Sequence, residues 1–343
     1  MSVPEANKDF DEFSHDEAPE EKALRPGRLD EFVGQPLLKD RLSVSIRAAL
    51  HRKEPLDHVL LSGPPGLGKT TLACIVAAEM GGRFHSTSAP ALGRPGDLAR
   101  LLTLLEKDDV LFIDEIHRLT RQCEEILYPA MEDGFIDFIV GEGMAAQSVK
   151  VPLKPFTLVG ATTRSGSLTA PLKSRFGIDL KLEFYDLPEL TKIVKRSAGL
   201  LGVQISENAA AVIAERARMT PRAANRLLRR IRDYATVENV NIIEPDFALR
   251  ALGKLGIDSL GLTDLDRKLL TLVIERYHGG PVGIRTLASL LDEEEHTIEE
   301  DHEPFMLRIG LLEKTPQGRV STQKAAIHLG LKIVPNETQQ SLF

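Results

Sequence analysis

At 343 residues the chain is longer than one ordinary hydrophobic core serves, so two or three domains are expected. Hydrophobic residues at 42 % and charged residues at 27 % are the proportions of a soluble globular protein, and no run approaches the roughly 20 apolar residues of a membrane helix. A formal net charge of −7 excludes a chain-wide electrostatic grip on nucleic acid, so any such contact must come from local patches.

The first stretch, MSVPEANKDFDEFSHDEAPEEKA, is acidic and lacks an apolar segment suited to a signal peptide, so residues 1–23 read as a disordered acidic leader of a cytoplasmic protein. KALRPGRLDEFVGQ (22–35) leads into an amphipathic helix near 36–53. DHVLLSG (57–63) then reads as a short buried strand, GPPGLGKT (63–70) as a loop and TLACIVAAEMG as a helix. Strand-like DVLFIDE (109–115), helix-like RQCEEILYPAME (121–132) and strand-like FTLVGATT (156–163) continue the alternation. Alternating β and α elements with near-continuous apolar strands predict a parallel sheet covered on both faces. FIDFIVGEGMAAQSVKVPLKP (135–155) breaks that rhythm, and its β-prone runs around GEGMAAQ predict an inserted hairpin.

Beyond Tyr185 the text turns helical, through LPELTKIVKRSAGLLG, SENAAAVIAERAR and TPRAANRLLRRIRDYATVE, to about residue 256. A last segment runs LTDLDRKLLTLVIERY, the break GGPVG, IRTLASLL, TIEEDHEPFMLRIG and LLEKTPQGRVST, which is the order of a winged helix: helices, then a short two-stranded wing. Cys74 and Cys123 are too few for a metal site or a disulfide framework and read as small buried hydrophobes.

Two motifs carry chemistry. GPPGLGKT fits the phosphate-binding pattern G-x-x-x-x-G-K-[ST], after a strand and before a helix. Its glycines let backbone N–H groups close around phosphates, Lys69 is placed for the β- and γ-phosphates of ATP, and Thr70 for Mg²⁺. In VLFIDE, four apolar residues bury a strand and leave Asp114 and Glu115 at its C-terminal end, where open α/β sheets bind ligands. Asp114 suits the Mg²⁺ shell, and Glu115 suits the orientation or deprotonation of an attacking water, so hydrolysis rather than mere binding is expected.

GPPGLGKTT, VLFIDEIHRLT, YPAMEDG, FTLVGATTRSGSLTAPLKSRFG, LEFY, TPRAANRLLRRIRD and GGPVG together resemble the RuvB family of bacterial Holliday-junction branch-migration motors, which are AAA+ ATPases. The resemblance runs from about Leu24 to about His328. It implies an α/β P-loop AAA+ ATPase domain over 24–185 with a hairpin insert near 135–155. An all-helical lid domain over 186–256 and a C-terminal winged-helix domain over 257–343 would follow. By the same resemblance Leu24 and Arg25 pack near the nucleotide base, and Gly66, Lys69, Thr70 and Thr71 contact phosphates and Mg²⁺. Glu132, Asp133 and Gly134 match positions near the nucleotide, with Gly134 standing where the family usually carries an aromatic residue. Thr163 matches the polar sensor at its strand end, Thr162 being the neighbouring candidate. Tyr185 matches a nucleotide-pocket residue, and Arg222 the second sensor, by which the lid detects the γ-phosphate. The family works as a hexameric ring on duplex and Holliday-junction DNA with RuvA, docked through the hairpin insert, and with RuvC.

The acidic run DEEEHTIEEDHE (292–303) would repel a phosphate backbone, which leaves the wing as the better DNA surface, with Lys314 and Arg319 flanking its turn. The resemblance points to the same two residues, while Glu295 and Gln317 occupy positions usually held by arginine. Phosphate contacts of this kind position a protein without reading sequence, as a motor on any DNA requires.

PLKSRFG (171–177) follows directly on the sensor strand, which puts Arg175 at the edge of the ATPase domain. With Lys69 and Arg222 already assigned to the chain's own phosphates, Arg175 is expected to serve the adjacent subunit as an arginine finger. A sliding-clamp loader subunit and an ATP-switched DNA-binding regulator are the alternative functions, although clamp loaders commonly read SRC where this chain reads SRFG.

Overall fold

A computed structural model describes residues 23–140 and 147–333; the leader over 1–22, the tip of the insert at 141–146 and the tail from 334 lie outside the described residues. The described residues divide into two compact units, one ending at residue 183 but for 64–66, the other of 64–66 and the residues from 184 on.

In the first unit, helix α1 (Pro36–Arg52) buries Leu38, Leu42, Ile46 and Ala49, a helical stripe that continues its sequence periodicity. Strand β1 (Val59–Ser62) leads through the glycine-rich loop into α2 (Lys69–Met80). Next come β2 (Phe84–Ser88), α3 (Pro95–Leu104), β3 (Val110–Asp114) and α4 (Arg121–Glu132), the last capped by the Thr120 hydroxyl accepting from the Cys123 amide. An antiparallel hairpin follows, β4 (Phe135–Val140) and β5 (Gln147–Pro152), then β6 (Thr157–Thr162), the short α5 (Ala170–Ser174) and β7 (Ile178–Lys181).

The main sheet has five parallel strands in the order β2-β3-β6-β1-β7. β1 and β6 are buried at every residue, which is why both read as unbroken apolar text. The base of the hairpin belongs to the core: Ile136 is buried, and Val151 and Leu153 pack against the same cluster as Leu127 and Leu158. Its other edge is open, with Val149 exposed and the Lys150 ammonium 4.1 Å above the Phe135 ring.

Half-buried His58, just ahead of β1, ties the sheet to α4: its Nδ1 accepts the Leu158 amide at 2.9 Å and its Nε2 faces the Met131 carbonyl at 3.2 Å. That pairing needs the neutral ring with the proton on Nε2. Burial accordingly lowers its pKa below the ordinary histidine value.

The second unit begins with the helices α6 (Leu187–Leu200), α7 (Glu207–Glu215), α8 (Pro221–Val237) and α9 (Pro245–Lys254), with a two-residue parallel ladder of β8 (Gln204–Ile205) and β9 (Ile242–Ile243). Asp186 and Glu189 form a reciprocal capping box at the start of α6. α8 buries Ala223, Ala224, Leu227, Leu228 and Ile231, which turns Arg222, Arg226 and Arg230 to the exposed face.

The C-terminal part starts at α10 (Asp264–Thr271), which widens into a π-helical stretch at Leu272–Arg276. Then come α11 (Ile284–Leu291), α12 (Glu295–Thr297), a second π-helical stretch (Ile298–His302) and α13 (Glu303–Arg308). The wing is β10 (Leu312–Thr315) against β11 (Gly318–Ser321), and α14 (Gln323–Leu329) closes the domain. Leu270, Val273, Leu287, Ile298, Met306 and Leu311 share its core.

A buried polar cluster joins the helical part to the winged helix. Arg218, held at φ 51°, donates to the Gly261 carbonyl at 3.0 Å and pairs with Asp266. Asp266 also accepts from the amide and hydroxyl of Thr263, both at 2.7 Å, and from His302 Nδ1 at 2.6 Å. Burial alone would raise the Asp266 pKa, but the His302 bond and the Arg218 charge outweigh it and hold the carboxyl below its usual value. The segment between the two parts is tied as well: Asp258 Oδ1 accepts the Leu260 and Leu262 amides, each at 2.9 Å, and its Oδ2 meets His328 Nε2 at 2.8 Å.

Candidate active site

The phosphate loop leaves β1 through Gly63, where φ is +145° and a Cβ would stand 2.6 Å from the Leu182 carbonyl oxygen, so only glycine fits. At the other end Gly68 has φ +101°, and a Cβ there would stand 3.2 Å from the Phe32 ring. Lys69 opens α2, and its buried ammonium donates to the Gly63 carbonyl at 2.8 Å, curled back over its own loop. Thr70 and Thr71 follow in the same turn, both half-buried. A cation, the N-terminus of a 12-residue helix and a loop of closely packed backbone together fit a triphosphate.

β3 carries the second half of the site. Its parallel pairing between β2 and β6 sets Asp114 and Glu115 at the C-terminal edge of the sheet. Asp114 Oδ1 accepts the Glu115 amide at 2.9 Å, and Glu115 turns sharply with φ 48°. Glu115 Oε2 accepts the Thr163 hydroxyl at 3.0 Å and lies 3.1 Å from His117 Nδ1. Thr162, the other threonine of the strand end, instead meets His117 Nδ1 at 2.9 Å and accepts the Arg164 amide. Thr163 is thus the threonine that touches Glu115. Sequence reasoning passed over His117, although its place two residues beyond Glu115 was the available signal.

The remaining expected residues fall elsewhere. Leu24 is buried, and Arg25 reaches Cys74 Sγ on α2 at 3.7 Å. Cys123 is buried as expected, whereas Cys74 is half-exposed. In the second unit Tyr185 is buried, with its amide on the Met219 carbonyl, and Arg222 is exposed, with its amide on the Gly66 carbonyl. Gly134 contributes its backbone, accepting the Leu153 amide at 2.8 Å, and Asp133 is the exposed C-cap of α4.

Glu132 and Arg175 form a group of their own. Arg175 ends α5 and stands just before β7, whose first residue, Ile178, pairs with Val59 at the start of β1. The phosphate loop leaves the opposite end of β1, after Ser62, so Arg175 lies at the N-terminal edge of the parallel sheet, away from its own Lys69. Its guanidinium donates to Glu132 at 2.9 Å and to the Pro171 carbonyl at 2.7 Å, and stacks 4.3 Å from the Tyr128 ring. It also lines a cavity of about 390 Å³ beside His58, Met131, Lys154 and Phe156.

The wing differs from its sequence reading. Arg319 is only 6 % exposed, because its guanidinium is folded onto Glu303 at 2.5 Å and Glu299 at 2.7 Å. Arg319, expected with Lys314 as a DNA contact of the wing, thus stands in this structure as a buried ion-pair partner. Lys314 opposite it on β10 keeps a side chain 52 % exposed, with its ammonium 3.1 Å from Glu299. The acidic run is consequently not the uniform repulsive patch it resembles in sequence, since Glu299 and Glu303 neutralise the wing and Glu295 pairs with Arg285 at 3.4 Å.

Three family profiles match consecutive parts of the chain: the Holliday junction DNA helicase RuvB P-loop domain at 24–182, the RuvB AAA lid domain at 185–258 and the RuvB C-terminal winged helix domain at 259–330. The chain belongs to the RuvB family. It is a P-loop ATPase with the lid and winged helix of that family. Among solved structures, the Thermotoga maritima RuvB Holliday junction branch migration motor is 50 % identical with a TM-score of 0.83, the match covering 91 % of this chain and 100 % of that one. Two Thermotoga maritima RuvB point mutants are 51 % identical with TM-scores of 0.84, again over 91 % of this chain and 99 % and 100 % of theirs. Among the described residues of this RuvB-family chain, no helix is long and apolar enough to cross a membrane.

Proposed function

We propose that the chain drives branch migration of Holliday junctions in the cytoplasm, as a homo-hexameric ATPase ring on duplex DNA. In this reading RuvA docks on the hairpin insert, whose open edge carries Val149 and Lys150, and RuvC works on the same junction. Lys69 and the loop amides hold the β- and γ-phosphates of ATP, with Gly66, Thr70 and Thr71 around them. Thr70 and Asp114 are the residues for Mg²⁺, which takes most of its oxygen ligands from phosphate and water. Glu115 receives the proton of the attacking water, and Thr163 holds its carboxylate. Leu24, Arg25 and Tyr185 belong to the base end of the pocket, and Arg222 is the lid's sensor. Lys314 is the wing's phosphate contact.

The observation that carries the ring is the position of Arg175 at the sheet edge opposite the phosphate loop. An arginine there serves a γ-phosphate only across a subunit boundary, a role worth roughly 10³–10⁵ in rate in other nucleotide hydrolases. The test mixes Arg175→Ala chains with Lys69→Ala chains, each inactive alone. Recovery of DNA-dependent ATP turnover in the mixture is expected, because intact sites form between unlike neighbours. Assembled mixed rings with no turnover would rule the trans role out.

A further inference from the structure

Glu124, Tyr128 and Glu132 recur every four residues along α4 and so share one helix face. That face meets the short α5 at both of its ends. At the first end the Thr169 hydroxyl, the N-cap of α5, donates to the buried Glu124 carboxylate at 2.9 Å, and the Tyr128 phenol donates to the same oxygen at 2.9 Å. At the second end Arg175, the C-cap, spreads its guanidinium 4.3 Å from the centre of the Tyr128 ring and reaches Glu132. The five-residue α5 is thus clamped along its length by a single face of α4.

We infer that Tyr128 is a positioning residue for Arg175, a shelf that aims the guanidinium for transfer to the neighbouring subunit's phosphate; this rests on the trans reading of Arg175. Three observations single out the ring. The Arg175 Nε is buried without a hydrogen-bond partner, so only the two end nitrogens, on the Pro171 carbonyl and on Glu132, hold the head by hydrogen bonds. Glu132 is an exchangeable partner: its side chain is 53 % exposed, its pull on Arg175 is screened by water, and an incoming phosphate competes for the same donors. The ring makes no such competition, because it attracts the cation through its face and uses none of its N–H donors. Tyr128 is itself anchored through its hydroxyl, which donates to Glu124. Burial raises its pKa above the ordinary tyrosine value, so the phenol remains a donor to Glu124 across the working pH range.

A residue that aims the finger must act in the neighbour's site and in the transition state, which separates it from a residue that merely supports its own fold. The experiment measures DNA-dependent ATP turnover of Tyr128→Leu and Tyr128→Phe, alone and mixed with Lys69→Ala. Tyr128→Leu is expected to lower kcat about tenfold with KM for ATP within about twofold, while Tyr128→Phe, which keeps the ring, stays within about threefold of the parent. Mixed with Lys69→Ala, Tyr128→Leu is expected to recover turnover as Arg175→Ala does. Unchanged kcat in Tyr128→Leu, equal losses in both variants, or a loss that Lys69→Ala does not rescue while it does rescue Arg175→Ala, each overturns the assignment. If the Arg175→Ala mixture itself fails to recover, the trans reading falls and the shelf falls with it.

Discussion

The Thr163 hydroxyl donates to Oε2 of Glu115 at 3.0 Å, so the end of β6 and the carboxylate beyond β3 are one hydrogen-bonded unit. A carboxylate held this way has a defined orientation before any ligand arrives. Glu115→Gln should retain ATP binding and lose turnover by about 10²–10⁴, the usual weight of general-base catalysis. Thr163→Val should lower kcat about tenfold with little change in nucleotide affinity, since it removes one hydrogen bond to the Glu115 carboxylate. Steady-state turnover alongside a fluorescent-nucleotide titration checks both; full turnover in Glu115→Gln would reject its assignment.

The wing yields a pair of opposite expectations. Lys314→Ala should weaken DNA binding and flatten its salt dependence by about one phosphate contact per engaged subunit, leaving stability almost unchanged. Arg319→Ala should instead destabilise the winged helix by about 3 kcal/mol, because it leaves Glu303 buried beside only a distant Lys314. Glu295→Arg should tighten DNA binding and steepen its salt slope, both by adding a cation and by releasing Arg285. Thermal unfolding and binding titrations over a range of salt separate these effects.

His58 links stability to pH. Its folded pKa lies below the 6.5 of the unfolded chain, so below that value the unfolded state binds the extra proton first. Stability should therefore be fully present above about pH 7 and decline as pH falls through 6.5 toward the folded value. His58→Gln, which titrates nowhere in that window, should be less stable at neutral pH yet lose less on acidification. Denaturant midpoints at pH 7.5 and 5.5 for both chains provide the comparison.

Asp266 is the centre of a cluster with Arg218 and His302. Asp266→Ala strands a buried guanidinium and should cost about 3–5 kcal/mol. Replacement of both members by apolar residues of similar size should cost less than either single change. Unfolding of the two single variants and the double variant measures the coupling.

Much of the nucleotide site was legible in sequence because local chemistry specifies it. GPPGLGKT needs its glycines for backbone approach, and VLFIDE combines a buried strand with two strand-end acids, so both motifs work at short range. The hairpin and the wing were legible from their alternating text for the same reason. Side-chain partnerships across elements were not. Nothing local distinguishes Arg319, which folds inward, from Lys314, which remains exposed, although Glu299 and Glu303 at helical spacing offered a place for one of them. The choice between Thr162 and Thr163 depended on which way each side chain leaves β6. Tyr128 reads as an ordinary amphipathic helix residue until α5 is seen lying across it.

The bond between Arg218 and Asp266 has a mechanical meaning for a motor. Arg218 lies just ahead of the turn into α8, the helix that begins with Pro221 and carries Arg222 in its first turn, and Asp266 lies in the first turn of α10 in the winged helix. The intervening segment is stapled by Asp258 to its own amides and to His328, which ties down the chain between the two parts. Helical lid and winged head are thereby built as a single crank: a turn applied at the start of α8 would be carried through the Arg218–Asp266 pair into the winged helix rather than absorbed between the two.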